Sequence, residues 1–203
     1  KTVATIRAEH TIISTGGSPR NPLEIPFDND VILDSARLLS IDELPKTMLV
    51  CGGGIIGSEY ASFFAALGTK VTVIDKRKNI LPDLDKEIGI HLQNSLTSIG
   101  LEFQGNKSLA DIQRVDDHAK VSFEDGSSVE GDTLLYALGR VANISSLNLE
   151  ATGIKLNDRG HIPVNALFQT EKPHIYAVGD VIGTPALAST SMEQGRLAVR
   201  HAC

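Results

Sequence analysis

The sequence predicts an α/β fold, and three patterns support this prediction. Residues from Thr47 to Asp75 form, in order, an apolar strand, a cluster of glycines, a helix and a second apolar strand. Apolar residues at helical spacing predict a second helix over residues 84–99. After that helix, short apolar runs separated by polar turns predict an antiparallel meander that ends near Leu149.

The N-terminal part of the chain predicts a strand-like segment followed by a loop. The pattern from Lys1 to Thr15 is typical of strands, and Gly16 to Pro19 is expected to stop it. Residues 20–30 contain further prolines together with Asn and Asp, which predict a loop that leaves one unit for another. A short helix is expected over residues 35–40, and we place a domain boundary near Val31.

In the strand–helix–strand unit, the predicted strands are residues 48–51 and 70–74, and Gly68 is expected to end the helix. The residues expected on the core face of that helix are Ile56, Tyr60, Phe63 and Leu67. The second helix has a similar stripe, formed by Ile88, Leu92, Leu96 and Ile99.

The remaining elements follow from turn residues and short apolar runs. Asp125-Gly126 lies between two alternating segments and predicts a β-hairpin. Residues 132–138 predict a further strand, and residues 175–178 predict a buried strand that leads into Gly179-Asp180. The pattern over residues 189–202 predicts a final helix.

Composition limits the classes of partner. The 203 residues are 41% hydrophobic and 22% charged, which is enough for one large or two small globular units. The net charge is −6 and no dense basic cluster occurs, so we expect no nucleic-acid partner. No apolar run reaches about 18 residues, so no membrane partner is expected.

Cys51 and Cys203 form no CxxC or zinc spacing, which favours a reducing compartment. Because the chain opens with Lys1 rather than Met and stops inside a helical pattern, we interpret it as a fragment.

The turn after the first strand of the central unit has the spacing G-x-G-x-x-G, formed by Gly52, Gly54 and Gly57. The first glycine permits a tight turn, the second lets the backbone approach a pyrophosphate, and the third lets the helix pack closely on the strand. The free amides at the helix start can then bind an anion. A glycine-rich turn without a ligand has the same spacing, but its position between strand and helix favours a Rossmann-like dinucleotide site.

Asp75 closes the second strand, where an acidic side chain accepts hydrogen bonds from a ribose 2′-hydroxyl. A carboxylate there favours NAD, whereas the adjacent Lys76 and Arg77 could balance the 2′-phosphate of NADP, so the choice stays open at this point. Glu59 either interacts with the positive end of the helix dipole or contacts the nicotinamide. Cys51 is expected to pack in the core.

Three segments together resemble the family of flavoprotein disulfide reductases with two dinucleotide-binding domains. Thr11 to Pro19 (TIISTGGSP) is similar to the segment that leads out of the FAD domain, Gly52 to Ser62 is similar to the NAD(P) fingerprint, and Thr170 to Asp180 (TEKPHIYAVGD) is similar to the second FAD motif. The resemblance implies a Rossmann-like NAD(P)-binding domain with an antiparallel meander over residues 31–150. Residues 1–30 and 151–203 would be segments of an incomplete FAD-binding domain.

The resemblance also implies the residues of two cofactor sites. For the nicotinamide dinucleotide they are Gly52, Gly54, Ile55, Ile56, Gly57, Glu59, Asp75, Lys76 and Gly139. For FAD they are Thr15, Gly16, Gly179, Asp180 and Ala188. No residue of this chain is expected to act as a catalytic acid, base or nucleophile, and none is expected to bind a metal ion.

The activity implied is an FAD-dependent oxidoreductase that transfers hydride between NAD(H) and NADP(H) through the flavin. Dihydrolipoyl dehydrogenase is the first alternative, and a non-catalytic module that senses NAD(P) is the second. A redox-active cysteine pair and the dimerisation domain of the family would lie outside this chain, so the chain alone is expected to be inactive. The resemblance further implies a cytoplasmic protein that is a homodimer in its full-length form.

Overall fold

The structure is a computed structural model that describes residues 4–203, and it divides the chain into two compact units. One unit is Pro19–Gly139, which we call the central unit. The other, the flanking unit, joins the N-terminal segment up to Ser18 to Arg140–Cys203.

The elements were numbered in chain order. The strands are β1 Thr11–Ile13, β2 Gly17–Pro19, β3 Ile32–Asp34, β4 Thr47–Cys51, β5 Lys70–Ile74, β6 Glu102–Gln104, β7 Leu109–Val115, β8 His118–Phe123, β9 Ser128–Gly131, β10 Thr133–Tyr136, β11 Arg140–Ala142 and β12 Ile175–Ala177. The α-helices are α1 Ile55–Ala66, α2 Lys86–Ser98 and α3 Ala188–Ala202, and short 3-10 helices cover Leu38–Ser40, Leu149–Thr152 and Gly179–Ile182.

The central unit is built on a parallel sheet of five strands in the order β3-β10-β4-β5-β6. Because the central strands of a parallel sheet are buried on both faces, β4 and β10 are mainly apolar rather than alternating with polar residues. Met48 and Val50 point into a cluster that contains residues of α1 and α2, whereas Leu49 and Cys51 point into a cluster on the other face. The α/β fold is thus confirmed.

The second face of that sheet is covered by the antiparallel meander β7-β8-β9. Ile112, Ala119, Val121 and Phe123 of the meander share a buried cluster with Leu49 of the parallel sheet. The predicted hairpin is confirmed, since Phe123 N donates to Ser127 O at 2.9 Å across the turn that contains Asp125-Gly126. The predicted two-residue turn is wrong, because residues 124–127 separate β8 from β9.

The predicted core faces of the helices were partly wrong. In α1 the buried residues are Gly57, Ser58, Ala61, Phe64 and Ala65, whereas Phe63 is 59% exposed and Leu67 is 49% exposed. The face of α1 that contains Gly57 rests against the glycine turn, and Phe64 rather than Phe63 lies on that face. In α2 only Leu96 is buried, while Ile88 and Ile99 are exposed.

The flanking unit joins distant parts of the sequence. β1 pairs in parallel with β12, so that Ile12 lies opposite Tyr176, and β2 pairs with β11. The predicted strand over the first residues is wrong for Ala4 to Ala8, which form no strand, and residues 1–3 lie outside the described residues. Gly17–Pro19, predicted to end a strand, forms β2 instead.

The unit boundaries differ from the predicted divisions after residues 30 and 150. Ile25 and Phe27 pack against the core of the central unit, so the predicted linker belongs to that unit. Leu149 is buried in the core of the flanking unit. The two ends of the central unit lie next to each other, because Arg20 N donates to Gly139 O at 3.1 Å. Which cofactor each unit binds stays a prediction.

Among residues 4–203, no helix combines the length and the apolar character that crossing a membrane requires.

The two cysteines differ in accessibility, which gives a test of the core. Cys51 is fully buried in β4, and burial raises the pKa of its thiol to about 12, whereas Cys203 is exposed. Because the thiolate is the reactive form, we expect one thiol to react with Ellman's reagent in the native chain and both to react in denaturant. In the control variant Cys203→Ser no native thiol should react. Rapid labelling of Cys51 in that variant would contradict the described packing.

Candidate functional site

The glycine turn between β4 and α1 is shaped by two close backbone approaches. Gly52 has φ +114°, and a β-carbon on it would lie 2.8 Å from the carbonyl oxygen of Ala137. A β-carbon on Gly57 would overlap the carbonyl oxygen of Gly52. Gly52 therefore needs a conformation that side chains avoid, and Gly57 allows the first turn of α1 to rest directly on the turn. Both glycines serve the fold of the turn.

Gly54, the second glycine of the spacing, is different because its surroundings are open. It is the residue before α1, with φ −80°, a value that any residue adopts. A β-carbon on it would have only Arg77 Nη2 nearby, at 3.9 Å. Gly54 has no side chain to cap the helix, and within residues 4–203 no side chain accepts from the first amides of α1. Unpaired amides beside open space can bind an anion.

Asp75, directly after β5, lies at the centre of the site. Its side chain is only 2% exposed and accepts four hydrogen bonds. Gly53 N donates to Oδ2 at 2.7 Å, and the backbone N of Arg77 donates to Oδ1 at 2.8 Å. The Arg77 guanidinium binds both oxygens, with Nε at 2.9 Å from Oδ1 and Nη2 at 2.7 Å from Oδ2. The carboxylate thus connects the end of β5 to the glycine turn.

These contacts also set the charge state of Asp75. Burial alone would raise the pKa of its carboxyl, but hydrogen bonds from the Arg77 side chain and from the amides of Arg77 and Gly53 outweigh burial and hold the pKa below its usual value. The hydrogen bonds to Asp75 likewise raise the pKa of Arg77, and the charge of Asp83 makes a smaller contribution in the same direction. The site therefore holds an ionised pair at neutral pH.

The backbone of Arg77 is fixed independently of its side chain. Asn106 N donates to Arg77 O at 3.2 Å. Gly105 packs against this segment, since a β-carbon there would lie 2.9 Å from Arg77 O. The side chain of Arg77 is nevertheless 38% exposed, and its Nη2 lies near Gly54.

The other residues predicted for the nicotinamide dinucleotide surround this turn. Ile55, Ile56 and Glu59 lie in the first two turns of α1, and Ile55 and Glu59 are exposed. Lys76 is exposed next to Asp75. Gly139 follows β10, which pairs with β4, and the intervening Leu138 contacts the Gly52 position.

The residues predicted for FAD lie in the flanking unit. Gly17 is next to Asp180, since a β-carbon on Gly17 would lie 3.3 Å from Asp180 Cβ. Thr15 is fixed by Asn143: Thr15 Oγ1 donates to Asn143 O at 2.7 Å, and Asn143 Nδ2 donates to Thr15 O at 3.0 Å. Gly16 has open space where a side chain would be.

Asp180 itself is paired and partly exposed. Its carboxylate lies 3.2 Å from Arg140 Nη2, which also donates to Gly17 O. The preceding Gly179 N donates to the buried Gln194 Oε1 of α3 at 2.7 Å. Ala188 is exposed at the first position of α3. The structure therefore places Gly17, the neighbour of Gly16, next to Asp180, and Arg140 binds both Gly17 and Asp180.

Sequence similarity identifies the family. The pattern described as pyridine nucleotide-disulphide oxidoreductase matches residues 1–195. The chain belongs to the pyridine nucleotide-disulphide oxidoreductase family. The resemblance drawn from three segments is thereby confirmed.

Several relatives in this family resemble the chain over nearly its whole length. It is 42% identical over 198 residues to the soluble pyridine nucleotide transhydrogenase of Mycobacterium bovis and 40% identical over 196 residues to that of Serratia proteamaculans. These matches cover 98% and 97% of this chain but 42% of each relative. The crystal structure of LpdA from Mycobacterium tuberculosis matches 96% of this chain and 42% of that chain, with a TM-score of 0.91 and 34% identity. The chain thus spans less than half the length of these relatives.

Arg77, Arg140 and Asn143 were missing from the predicted site residues. The sequence shows the charge of Arg77 beside Asp75, but it does not indicate that Arg77 binds both carboxylate oxygens. Arg140 directly follows Gly139 in sequence, and its pairing with Asp180 joins residues that are distant in the chain. Nothing in the local pattern indicates Asn143.

The two glycines of the turn allow a paired test of stability. We expect Gly57→Ala to destabilise the chain strongly, by about 2 kcal/mol or more, because its β-carbon overlaps the Gly52 carbonyl. Gly54→Ala should change stability by less than about 0.5 kcal/mol, because φ is −80° and the space is open. Chemical denaturation followed by circular dichroism measures both. Equal losses in the two variants would contradict this geometry.

The buried pair predicts a pH-dependent stability. The pKa of Asp75 is lowered in the folded chain. Its contribution to stability is therefore fully present above the ordinary pKa of about 4 and is lost as the pH falls through the pKa of the folded state. At pH near 7 we expect Asp75→Asn to lower the free energy of unfolding by about 1.5–3 kcal/mol. The loss should lie toward the lower end of this range because Arg77 is partly solvated.

This cost should shrink progressively below a pH of about 4, since the protonated acid is neutral like asparagine. Denaturation at several pH values measures the difference between the variant and the unmodified chain. Asp158→Asn, at an exposed carboxyl, is the control and should show no such difference. A cost for Asp75→Asn that is constant with pH would contradict the prediction.

Proposed function

We propose that this chain forms the nicotinamide dinucleotide site and part of the FAD site of an oxidoreductase that transfers hydride between NADPH and NAD through bound flavin. The observation that carries the proposal is the turn at Gly54, where unpaired helix amides, open space and the Arg77 guanidinium meet. The family membership and the printed names of the M. bovis and S. proteamaculans relatives support this activity over others.

In this proposal, residues of the glycine turn bind the nucleotide diphosphate. Gly54 leaves room for it, and the amides of Ile55 and Ile56 face it at the start of α1, where the helix dipole also favours an anion. Glu59 and Gly139 are proposed to lie near the nicotinamide end. The chain binds and orients the nucleotide, and no side chain here needs to transfer a proton.

The FAD site is proposed to include Thr15, Gly16, Gly179, Asp180 and Ala188. The open space at Gly16 and the partly exposed carboxylate of Asp180 fit a hydroxylated chain, because a carboxylate accepts hydrogen bonds from hydroxyls. Arg140 and Asn143 hold this segment in place. Flavin, when bound, supplies a two-electron acceptor and donor between the two nicotinamides.

The two alternatives make different demands. Dihydrolipoyl dehydrogenase requires a redox-active cysteine pair, which would lie outside this chain, so Cys51 and Cys203 do not distinguish the two reactions. A sensing module would bind the nucleotide without flavin. A longer protein that contains this chain and is yellow, with a colour bleached by NADPH and restored by NAD, would exclude the sensor. The cytoplasmic location and the homodimer stay predictions.

Nucleotide binding by the chain itself tests the proposal. We expect calorimetric titration to detect both NADH and NADPH, with dissociation constants of similar size, because one site serves both in transhydrogenation. Gly54→Ala should weaken the binding of both nucleotides by about tenfold or more, since a methyl group would occupy the space where the diphosphate approaches.

The same variant should keep its unfolding transition, which separates lost binding from lost folding. Gly89→Ala is the matched control, because that glycine has equally open surroundings in α2, away from the turn. A folded chain that binds neither nucleotide at millimolar concentration, or one that prefers either by several hundredfold, would refute the proposal.

A further inference from the structure

We infer that Gln194 is a positioning residue of the proposed FAD site, because it holds the backbone of Gly179 and thereby fixes the carboxylate of Asp180. The inference rests on the proposed function and specifies which residue of α3 supports that site. Gln194 follows Gly179 by 15 positions in the chain, so the local pattern around Asp180 gives no indication of this role.

Gln194 is a polar side chain in a buried place. The residue is only 7% exposed, and its Oε1 accepts a hydrogen bond from Gly179 N at 2.7 Å. Within residues 4–203, its side chain makes no other hydrogen bond. A buried amide lowers stability unless it is hydrogen-bonded, so packing alone would favour an apolar side chain of similar length. The bond to Gly179 is therefore the contact that explains a glutamine at this position.

Gly179 depends on an acceptor from outside its own segment. It is buried, and it is the first residue of the 3-10 helix Gly179–Ile182, so its N–H has no partner within that helix. Its φ is +78°, and a β-carbon on it would lie 3.3 Å from Ser191 Oγ. Ser191 and Gln194 are one helical turn apart on the same face of α3. Two side chains of α3 therefore lie beside Gly179.

The carboxylate of Asp180 is fixed from two directions. Its Oδ2 lies 3.2 Å from Arg140 Nη2, and its backbone is joined to Gly179, which Gln194 holds. Glycine adopts many backbone conformations, so Gly179 without its hydrogen bond could turn and move the residue that follows. The hydrogen bonds that Asp180 is proposed to accept from the flavin chain weaken steeply when their angle changes. Arg140 alone would leave the backbone of Asp180 unsupported on this side.

A bond that only attached α3 to the rest of its unit would behave differently. Its loss would lower stability, and its effect on FAD would add to the effect of a second substitution. A positioning residue acts through the group that it positions. The effect of replacing Gln194 should then disappear when the Asp180 carboxylate is already absent, and this distinguishes the two roles.

The first test is hydrogen exchange of the Gly179 amide in the chain itself, measured by NMR. Gln194→Met has a side chain of similar length without an amide acceptor, and it should accelerate exchange at Gly179 by about tenfold or more. Gln194→Glu keeps an acceptor and should leave this rate within about threefold of that in the unmodified chain. The amide of Ala177, which donates to Phe168 O, is the internal reference and should be unchanged.

The second test is the dissociation constant of FAD in a longer protein that contains this chain, measured by flavin fluorescence. Gln194→Met should raise this constant by about tenfold or more, and Gln194→Glu should raise it by less than about threefold. Asp180→Ala should raise it as well. When Gln194→Met is added to Asp180→Ala, the constant should rise by less than about twofold further.

Gln93→Met is the matched control, because Gln93 is a partly buried glutamine of α2 whose side chain makes no hydrogen bond within residues 4–203. It should change neither measurement by more than about twofold. Circular dichroism verifies that each variant is folded. If Gln194→Met does not fold, Gln194→Asn, whose side chain is one methylene shorter, replaces it in both tests.

The inference is overturned if Gln194→Met leaves exchange at Gly179 unchanged, if its effect on FAD adds fully to that of Asp180→Ala, or if Gln93→Met has an equal effect. An unmodified longer protein that binds no flavin would instead refute the proposed function. The exchange rate of Gly179 in the chain alone then still decides whether Gln194 holds this backbone.

Discussion

The Asp75 carboxylate is the contact on which the candidate site depends. It connects the end of β5 to the glycine turn through Gly53 N and to the following loop through Arg77. A carboxylate that is almost fully buried is costly unless its charge and its hydrogen-bonding capacity are both satisfied, and here they are. The position of the turn, the direction of α1 and the placement of Arg77 are therefore coupled through one side chain.

A second constraint acts from the other side of the turn. α1 begins directly on the Gly52 carbonyl because Gly57 has no side chain, and this close contact buries the helix face that contains Gly57, Phe64 and Ala65. It also explains why Ala61 and Ala65 are buried while Phe63 is exposed. The spacing of the glycines thus determines which face of the helix is interior.

The sequence was sufficient for the parts of the fold that depend on local patterns. The strands around Val50 and Val73, the hairpin at Asp125-Gly126 and the glycine turn all follow from periodicity and turn chemistry. It was insufficient where close backbone contacts or pairings between distant residues decide. The exposure of Phe63 depends on a backbone contact, and the pairing of β2 with β11 joins residues more than a hundred positions apart. For the site, the residue types at positions 52–57 and 75 could be predicted, whereas the saturation of Asp75 by Arg77 required coordinates.

The hydrogen bond from Arg20 to Gly139 has a consequence for the architecture of the polypeptide. Both ends of Pro19–Gly139 meet there, as the ends of an inserted domain do. A segment with adjoining ends can be excised or transplanted with little disturbance to its host. Pro19–Gly139 is accordingly organised as a self-contained unit, since all five strands of its parallel sheet lie within it.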